Sequence, residues 1–442
     1  MNRRQFLGSA GAAGAGFLVL RGTSFPPSYV QNAKVNCAFV GVGGRGGSNL
    51  GETMNSGMAN CVALCDVDQK TLDGAAKKYP DAKKYNDFRR MLEELSKQID
   101  AVVVSTPDHC HAPAAAMAIR MKKHVYVEKP MTHSIYEART LTQLAAEHKV
   151  VTQMGNQGHS SDSRRRLVEF LQAGGIGKVT EVHAWTNRPI WPQGLDRPPS
   201  KPAPAHLNWD LWIGPAPYRE YHDSLHPFSW RGWWDFGTGA LGDMACHIMD
   251  APFWGLKLGY PVSVEAEGAP LKPECGPHWE TIRLEFPARG PDLPPVKFTW
   301  YDGKKEGKQN GPPPELAQGV KITNNGNIII GDKGTVVVLD EQTGNWKAVI
   351  GGEVKDKKDL DIPRTLPRTR EHHVEWLEGI RGGPMPLGNF AYSGPFTESV
   401  LIGIAAFRAQ TKLVWDGPNM KATNTRDADK YIRREYRQGW TL

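Results

Sequence analysis

The chain has 442 residues, of which 40% are hydrophobic and 23% are charged. A chain of this length is longer than a typical domain built on one hydrophobic core, so we expect two domains. The composition excludes a wholly disordered chain. The formal net charge is +7, but three of the positive charges are arginines within the first 30 residues and the rest form no basic block. The charge pattern therefore argues against a nucleic-acid-binding protein.

The N-terminal sequence MNRRQFLGSAGAAGAGFLVL combines Arg3 and Arg4 with a short apolar stretch. The stretch is too short and too rich in glycine for a stable membrane span. Paired arginines before such a stretch resemble a twin-arginine export signal. We therefore expect residues 1–32 to be a signal peptide and tail that the twin-arginine machinery recognises, and the mature protein to be periplasmic or otherwise exported. A disordered basic tail is the alternative.

The segment VGVGGRGGSNL follows an apolar strand and carries the pattern G-x-G-x-x-G at Gly41, Gly43 and Gly46. This succession of strand, glycine turn and helix is typical of a dinucleotide-binding motif. Gly41 permits the tight turn, Gly43 lets a pyrophosphate approach the backbone, and Gly46 lets the helix pack closely. Amide groups at the helix start, which include Gly44 and Arg45, face the phosphates. A flexible surface turn is the alternative.

A second apolar run, CVALC, ends at Asp66, twenty residues after the last glycine of the motif. A carboxylate there accepts hydrogen bonds from the ribose hydroxyls and repels a 2′-phosphate. The sequence therefore predicts NAD as the cofactor in preference to NADP, with a surface aspartate as the alternative.

Strands and helices keep alternating up to residue 158. Predicted helices are LDGAAKKYP, MLEELSKQI, HAPAAAMAIRMKK and SIYEARTLTQLAAEHK, and predicted strands are DAVVVSTP and HVYVEKP. Repeated βα units predict a doubly wound parallel sheet of the Rossmann type over residues 33–158, with ligands at the carboxyl ends of its strands. The segments TPDHCH and EKP lie at two such ends.

Taken in order, G-x-G-x-x-G, the acid after the second strand, TPDHCH and EKP resemble the Gfo/Idh/MocA oxidoreductase family, which includes glucose–fructose oxidoreductase and inositol dehydrogenases. The resemblance implies that Lys129 of EKP lies beside the substrate hydroxyl and the nicotinamide. A lysine at a buried strand end near a cationic ring is expected to have a lowered pKa, which suits proton transfer. An ordinary surface lysine is the alternative.

The same resemblance assigns further cofactor contacts. Glu128 and Pro130 shape the EKP turn and contact the cofactor. Thr106, Pro107 and His111 match the segment that passes its adenosine and pyrophosphate side.

The pattern changes after residue 158. Apolar and polar residues alternate over residues 282–286 and 296–300, and GNIIIGDKGTVVVLD predicts a hairpin. Alternation predicts an antiparallel sheet with one packed face. We therefore expect residues 159–442 to form an α+β domain with a large, open, mostly antiparallel sheet that binds substrate. An open sheet also favours a homo-oligomer.

The segment GALGDMACHIM places Asp243 and His247 four residues apart, on one face of a predicted helix. The family carries D-x-x-x-H at the substrate beside the lysine, and a neutral imidazole that titrates near the working pH can accept the hydroxyl proton. The division of that role between His247 and the lysine stays open. The alternatives are a packed histidine and a metal site completed by His222 and His226. Zinc catalysis normally needs three convergent protein ligands, and the six cysteines have no ligand spacing, so we predict no metal.

Three further residues are candidates for the substrate site. Asn156, in MGNQGH, is placed near the nicotinamide ribose or the substrate by the resemblance. Arg231 and Trp234 belong to a stretch rich in tryptophan, whose aromatic faces and few polar groups suit a sugar ring. Tryptophans that pack under the sheet are the alternative.

The predicted function is an exported NAD-dependent oxidoreductase that acts on a secondary hydroxyl of a sugar, glycoside or polyol. Free NAD is scarce outside the cytoplasm, so a tightly bound cofactor that recycles within each turnover is expected. One alternative is an NAD-dependent glycosidase that works by transient oxidation and elimination. The other is a non-catalytic sugar- or cofactor-sensing protein, which the presence of the lysine and of the D-x-x-x-H pair disfavours.

Overall fold

The computed structural model describes residues 33–442, and the predicted export signal lies outside them. The first part of the described chain alternates strands and helices. Its elements are β1 (Val35–Val40), α1 (Gly44–Asn55), β2 (Ala59–Cys65), α2 (Gln69–Ala76), β3 (Lys83–Tyr85), α3 (Phe88–Leu95), β4 (Ala101–Val104), α4 (His111–Arg120), β5 (His124–Glu128), α5 (Ile135–His148) and β6 (Thr152–Gly155).

These six strands form one parallel sheet in the order β3-β2-β1-β4-β5-β6. The connections reverse direction between β1 and β4, and doubly wound sheets bind ligands at the carboxyl ends of the strands at such a point. The predicted Rossmann sheet is therefore confirmed. Its last strand in chain order, β6, ends at Gly155.

The remaining elements build a second, larger sheet and its helices. They are α6 (Asp162–Gln172), β7 (Val179–Trp185), α7 (Trp209–Ile213), α8 (Gly239–Ile248), α9 (Asp250–Gly255), β8 (Ser263–Gly268), β9 (Trp279–Phe286), β10 (Val296–Lys305), β11 (Lys308–Gln309), β12 (Gly326–Gly331), β13 (Gly334–Val338), β14 (Trp346–Ile350), β15 (Glu353–Asp356), α10 (His372–Ile380), α11 (Phe390–Ala409), β16 (Leu413–Asp416), β17 (Lys421–Ala422) and α12 (Asp429–Ile432).

The second sheet has eleven strands, in the order β15-β14-β13-β12-β7-β10-β9-β8-β16-β17, with β11 paired to β10. Its pairs are antiparallel except that of β7 with β10. The predicted hairpin is the pair β12 and β13. The open, mostly antiparallel sheet is thus confirmed.

Helix α11 covers the face of this sheet on which the alternating apolar residues lie. A Cβ added at Gly403 would lie 2.8 Å from Leu241 of α8 and 3.0 Å from Ile282 of β9. A side chain at this position would press on both residues, so glycine favours the close approach of α11, α8 and β9. The packing fixes α8, which carries the candidate catalytic pair, against the sheet.

The C-terminal part of the chain crosses back to the first sheet. Trp376 and Leu377 of α10 are buried in the core of the Rossmann sheet. Further on, Arg434 donates a hydrogen bond to Glu137 at 2.7 Å, and the ring of Trp440 lies 5.9 Å from that of Phe88. The two sheets are therefore joined by the end of the chain as well as by its middle.

All six cysteines are free. Cys37 and Cys65 are buried in strands β1 and β2, and burial raises the pKa of the half-buried Cys61 to about 12. These three thiols behave as small hydrophobic side chains. Between residues 33 and 442, no helix has the length and apolar character needed to cross a membrane.

Candidate active site

The glycine motif forms the turn between β1 and α1. Gly41 has a φ of +80°, and a Cβ there would lie 2.7 Å from the carbonyl oxygen of Ser105. A Cβ at Gly46 would lie 2.1 Å from the carbonyl oxygen of Gly41. Helix α1 begins at Gly44 without a side-chain cap, because Gly43 stands at its N-cap. Its first amide groups are therefore free to bind an anionic ligand such as a pyrophosphate.

Asp66 holds this turn from the end of β2. One oxygen of its carboxylate accepts a hydrogen bond from the amide of Val42, and the other accepts one from the amide of Asp68, both at 2.9 Å. Burial raises the pKa of this carboxyl above its ordinary value. Each oxygen has a second lone pair, so the predicted bond to a ribose hydroxyl stays available.

Glu128, at the end of β5, is held by donors from two sides. Its Oε1 accepts hydrogen bonds from Asn49 at 2.9 Å, from Gln157 at 2.7 Å and from Arg45 at 3.3 Å. The carboxylate thus joins helix α1 to the turn after β6. The sequence analysis missed Asn49 and Gln157, and no local motif marks either of them.

His111 joins the loops that follow β4 and β5. Its two ring nitrogens lie 2.8 Å from the carbonyl oxygens of Thr106 and Pro130. Pro107 precedes a short 3₁₀ turn over Asp108–Cys110. The side chain of His111 therefore positions the two loops, while direct contact of these residues with a cofactor stays a prediction.

Lys129, just after β5, and Asp243, in α8, are in direct contact. The Lys129 ammonium donates hydrogen bonds to the Asp243 carboxylate at 2.7 Å and to its main-chain carbonyl at 2.8 Å. Arg231 donates to the same carboxylate oxygen at 3.2 Å. Burial alone would raise the pKa of Asp243, but the two cations outweigh it and lower the pKa to about 2. The carboxylate is therefore ionised at neutral pH and holds both cations.

His247 lies one turn further along α8. Its side chain is buried, and its Nδ1 has no hydrogen-bond partner among the described residues. Burial, followed by the Lys129 ammonium, lowers the pKa of His247 to about 3. The sequence analysis expected titration near the working pH, and the structure corrects this because the sequence did not show the burial. The imidazole is neutral at pH 7 and can accept a proton.

A polar cluster supports His247 from behind, in which Arg164, Asp250 and His159 are wholly buried and Tyr392 is partly buried. Arg164 donates one hydrogen bond to the carbonyl of His247 at 2.9 Å and another to Asp250 at 2.7 Å. Asp250 also accepts from His159 at 2.9 Å and from Tyr392 at 2.6 Å. The sequence analysis missed this cluster. The spacing of His247, near the end of α8, and Asp250, the first residue of α9, was the available signal.

The surroundings of Asn156 indicate whether the residues at the strand ends suit a dinucleotide. Its side chain is wholly buried at the end of β6, yet neither its amide nitrogen nor its amide oxygen has a partner among residues 33–442. The buried hydroxyl of Thr106 is likewise unpaired. Buried polar groups are rarely left unpaired, so these atoms are suited to a polar ligand between the strand ends. The site therefore fits a nicotinamide dinucleotide.

The structure shows how the three tryptophans of the candidate substrate stretch are packed. Trp230, Trp233 and Trp234 are all buried, and Trp234 belongs to the main hydrophobic core. Their burial agrees with the packing alternative, and a contact of Trp234 with the substrate stays a prediction. The guanidinium of Arg231 lies 4.4 Å from the ring centroid of Trp230 and 4.6 Å from that of Phe228, which is 45% exposed.

The histidines of the metal alternative lie elsewhere. His226 is 3.9 Å from Asp68, and His222 bonds with Ser224 at 2.7 Å. Within residues 33–442, no group of three or more His, Cys, Asp and Glu side chains is arranged to hold a metal ion.

Comparison with known proteins identifies the family. Residues 35–156 match the model of the Gfo/Idh/MocA oxidoreductase family, NAD-binding Rossmann fold, and residues 171–290 match that family's C-terminal alpha/beta domain. The two matches together take in more than half of the chain.

Two curated relatives match over part of their length. The chain is 26% identical to inositol 2-dehydrogenase of Salmonella typhimurium over 153 residues, which are 34% of this chain and 45% of the relative. It is 30% identical to a glycosyl hydrolase family 109 protein of Shewanella baltica over 210 residues, 42% of this chain and 45% of the relative. The chain thus spans less than half the length of these relatives.

A solved structure shows the same fold over nearly its whole length. The WlbA dehydrogenase from Bordetella pertussis, in complex with NADH and UDP-GlcNAcA, superposes with a TM-score of 0.62 at 18% identity, covering 87% of this chain and 99% of that one. With the two family matches and the geometry above, this places the protein in the Gfo/Idh/MocA oxidoreductase family, with an NAD-binding Rossmann domain followed by the family's C-terminal alpha/beta domain.

Proposed function

We propose that the protein is an exported NAD-dependent oxidoreductase that acts on a secondary hydroxyl of a sugar, glycoside or polyol. The observation that carries the proposal is the group formed by Lys129, Asp243 and His247 at the carboxyl end of β5, on the same edge of the sheet as the glycine turn. The names of the relatives, an inositol dehydrogenase among them, support the substrate class.

NAD, when bound, supplies the hydride acceptor for such a reaction. The chain's own residues handle the proton. Neutral His247 accepts the hydroxyl proton through a ring nitrogen, and Lys129 donates a hydrogen bond to the substrate oxygen while Asp243 holds its ammonium in place. The glycine turn, Asp66 and Asn156 would hold the dinucleotide.

The second candidate is a glycosidase that uses the same residues. Transient oxidation of a ring hydroxyl acidifies the neighbouring C–H, loss of that proton expels the glycosidic oxygen, and addition of water followed by reduction restores the sugar. The match to a glycosyl hydrolase family 109 protein favours this candidate. Such a route needs no separate pair of catalytic carboxylates.

A resident cofactor is part of the proposal. An exported enzyme meets little free NAD, and both the redox-neutral hydrolysis and the oxidation of one sugar at the expense of another regenerate the bound nucleotide. Self-association of the open sheet in a homo-oligomer is also proposed.

The first experiment is to purify the exported protein without added nucleotide, denature it, and identify the released nucleotide by mass spectrometry. Near-stoichiometric NAD or NADH supports the proposal. If none is found and titration with NAD shows no binding, the proposal is wrong.

A second experiment separates the two candidates. The protein is incubated in D₂O with a panel of polyols, sugars and glycosides. Net oxidation gives a ketone and reduced nicotinamide. Hydrolysis gives a free sugar that carries one deuterium on a ring carbon, without any net change in the nicotinamide.

A further inference from the structure

The tryptophan-rich segment, residues 203–238, forms a small core of its own between the two sheets. The buried side chains of this core are Leu207, Trp209, Trp212, Ile213, Ala216, Tyr221, Leu225, Trp230, Trp233, Phe236 and, from outside the segment, Cys275. Val67, just after the end of β2, packs against it. The segment is therefore a folded unit, and one side of it packs against the loop that follows β2.

On that side, the segment pairs with the loop that follows β2. The amide of Asn208 donates a hydrogen bond to the carbonyl of Val67 at 2.9 Å, and the amide of Gln69 donates one to the carbonyl of His206 at 2.8 Å. Leu207 and Asp68 form an antiparallel bridge between these two bonds. The pairing is thus made by main-chain groups of both partners.

The Asp68 carboxylate adds side-chain contacts to this pairing. It lies 3.1 Å from Nδ1 of His206 and 3.9 Å from Nε2 of His226, and its side chain is buried. The same carboxylate caps helix α2 by accepting from the amides of Lys70 and Thr71.

The other side of the segment is fixed to the loop that follows β4. Burial lowers the pKa of His109 to about 3, and the neutral ring donates a hydrogen bond from Nε2 to the carbonyl of Trp212 at 2.9 Å. The amide of His109 donates to the carbonyl of Phe236 at 3.2 Å. The hydroxyl of Thr238 donates to Asp108 at 2.7 Å. These groups are buried, so this contact is tightly packed.

The two loops flank one half of the dinucleotide crevice. Strands β2 and β4 are the two neighbours of β1, whose carboxyl end carries the glycine turn. In Rossmann sheets the acid at the end of the second strand, here Asp66, marks the side of the adenosine ribose. A segment fixed to both loops therefore spans the adenosine half.

We propose that the tryptophan-rich segment closes the adenosine half of the crevice, so that NAD exchanges only when its pairing with the loop at residues 67–69 opens. This closure retains the nucleotide between turnovers. The inference rests on the proposed function in one respect, that the crevice holds NAD.

The end of the chain holds the closed segment from outside. The amide of Arg437 donates to the carbonyl of Pro215 at 2.9 Å, and its guanidinium donates to the carbonyl of Gly214 at 3.1 Å. The guanidinium of Arg434 donates to the carbonyl of His109. The contact with the β4 loop is therefore doubly secured, and the pairing at residues 67–69 is the side at which we expect opening.

One substitution removes a single bond from that pairing. Gln69 is the first residue of α2, where proline replaces an amide that makes no helical hydrogen bond. Asp68 before it has extended backbone angles, φ −97° and ψ 111°, which suit a residue preceding proline. Gln69→Pro thus deletes the bond to the carbonyl of His206, and Gln69→Ala is the matched control that keeps it.

The measurement is the exchange of bound NAD for isotopically labelled NAD in the full-length protein. Unlabelled holoprotein is mixed with excess labelled NAD, and the bound nucleotide is identified by mass spectrometry over time. Exchange in Gln69→Pro is expected to be about 3- to 10-fold faster than in Gln69→Ala, the scale of one lost hydrogen bond. Equal exchange rates in the two variants would overturn the inference.

A second variant guards against a damaged fold. Asp68→Asn keeps a good helix cap but removes the charge that faces His206 and His226. We expect this variant to exchange NAD faster than the wild type and to keep the wild-type unfolding temperature. Exchange at the wild-type rate in both Asp68→Asn and Gln69→Pro contradicts the closure while leaving the proposed function standing. A protein that binds no NAD contradicts the proposed function itself.

Discussion

Lys129 and Asp243 are 114 positions apart in the chain, yet the ammonium of one donates to both the carboxylate and the main-chain carbonyl of the other. The lysine stands at the end of a Rossmann strand and the aspartate on helix α8 of the second domain. The pair therefore joins the region that would hold the nicotinamide to the region that would hold the substrate. Arg231, on the same carboxylate oxygen, completes the junction.

Removal of either residue proposed to act on the substrate hydroxyl should slow turnover. Lys129→Ala and His247→Ala are each expected to lower kcat by about two to four orders of magnitude, the usual scale for a positioned acid or base. Lys97→Ala is the control that should keep full activity, because Lys97 is exposed and lies outside the candidate site. Steady-state kinetics with an identified sugar measures the effect. Near-full turnover in either variant, with the chemical step limiting, would remove that residue from the mechanism.

The pH dependence follows from the lowered pKa of His247, about 3 against an ordinary 6.5. In the folded protein this imidazole stays neutral as the pH falls through 6.5. Protonation of His247 should therefore cause no decrease in kcat/KM for oxidation near pH 6.5. Between pH 6.5 and pH 3 the imidazole is protonated in the unfolded chain but not in the folded protein. His247 therefore makes the folded state less stable as the pH falls through this interval. A kcat/KM profile of wild type beside His247→Gln checks the assignment. An acid limb near pH 6.5 that the variant lacks would contradict it.

Asp66 should determine the choice between NAD and NADP. Asp66→Ala is expected to weaken NAD retention and to relax discrimination against NADP, because both the predicted ribose acceptor and the bond to the amide of Val42 are lost. Asp66→Asn is the matched variant, since it removes the charge but keeps a carbonyl acceptor for the turn. Affinities for both nucleotides are measured by titration. Unchanged selectivity in the two variants would refute the ribose assignment.

Asp250 should matter more for stability than its distance from the substrate suggests. Its wholly buried carboxylate pairs with Arg164 and accepts from His159 and Tyr392, and these partners hold its pKa below the ordinary range. Asp250→Asn leaves the Arg164 guanidinium without its buried counter-ion and should cost about 3–5 kcal/mol of unfolding free energy. Tyr392→Phe, which removes one donor, should cost about 1.5–3 kcal/mol. Urea denaturation compares them. Because the carboxyl pKa is lowered, the wild type's advantage should fade in acid, as the pH falls through that lowered pKa.

Export depends on the N-terminal arginine pair if the proposed route is right. Replacing Arg3 and Arg4 with lysines should leave the protein in the cytoplasm, as shown by fractionation of cells that express it. A variant in which Gln5 is changed to alanine retains the pair and should be exported. Normal export of the double lysine variant would discard the twin-arginine route.

Local patterns predicted much of the fold and part of the site. The glycine turn, the parallel strands and the antiparallel sheet follow from periodicities of a few residues, and Asp243 and His247 share a helix face. The contact of His206 with Asp68 spans 138 positions, and that of Arg164 with Asp250 spans 86. No short-range pattern encodes such contacts. Burial likewise decided the pKa of His247, and burial depends on the assembled fold.

The return of the chain end to the first sheet also sets the order in which the molecule can be completed. Trp376 and Leu377 finish the core of the Rossmann sheet, and the bond of Arg434 to Glu137 closes a separation of 297 positions. Until residues 372–380 have been synthesised, the hydrophobic core of the first domain is therefore incomplete. Contacts of such long sequence separation make folding slow. If the protein is exported in the folded state, as proposed, synthesis of almost the whole chain has to precede translocation.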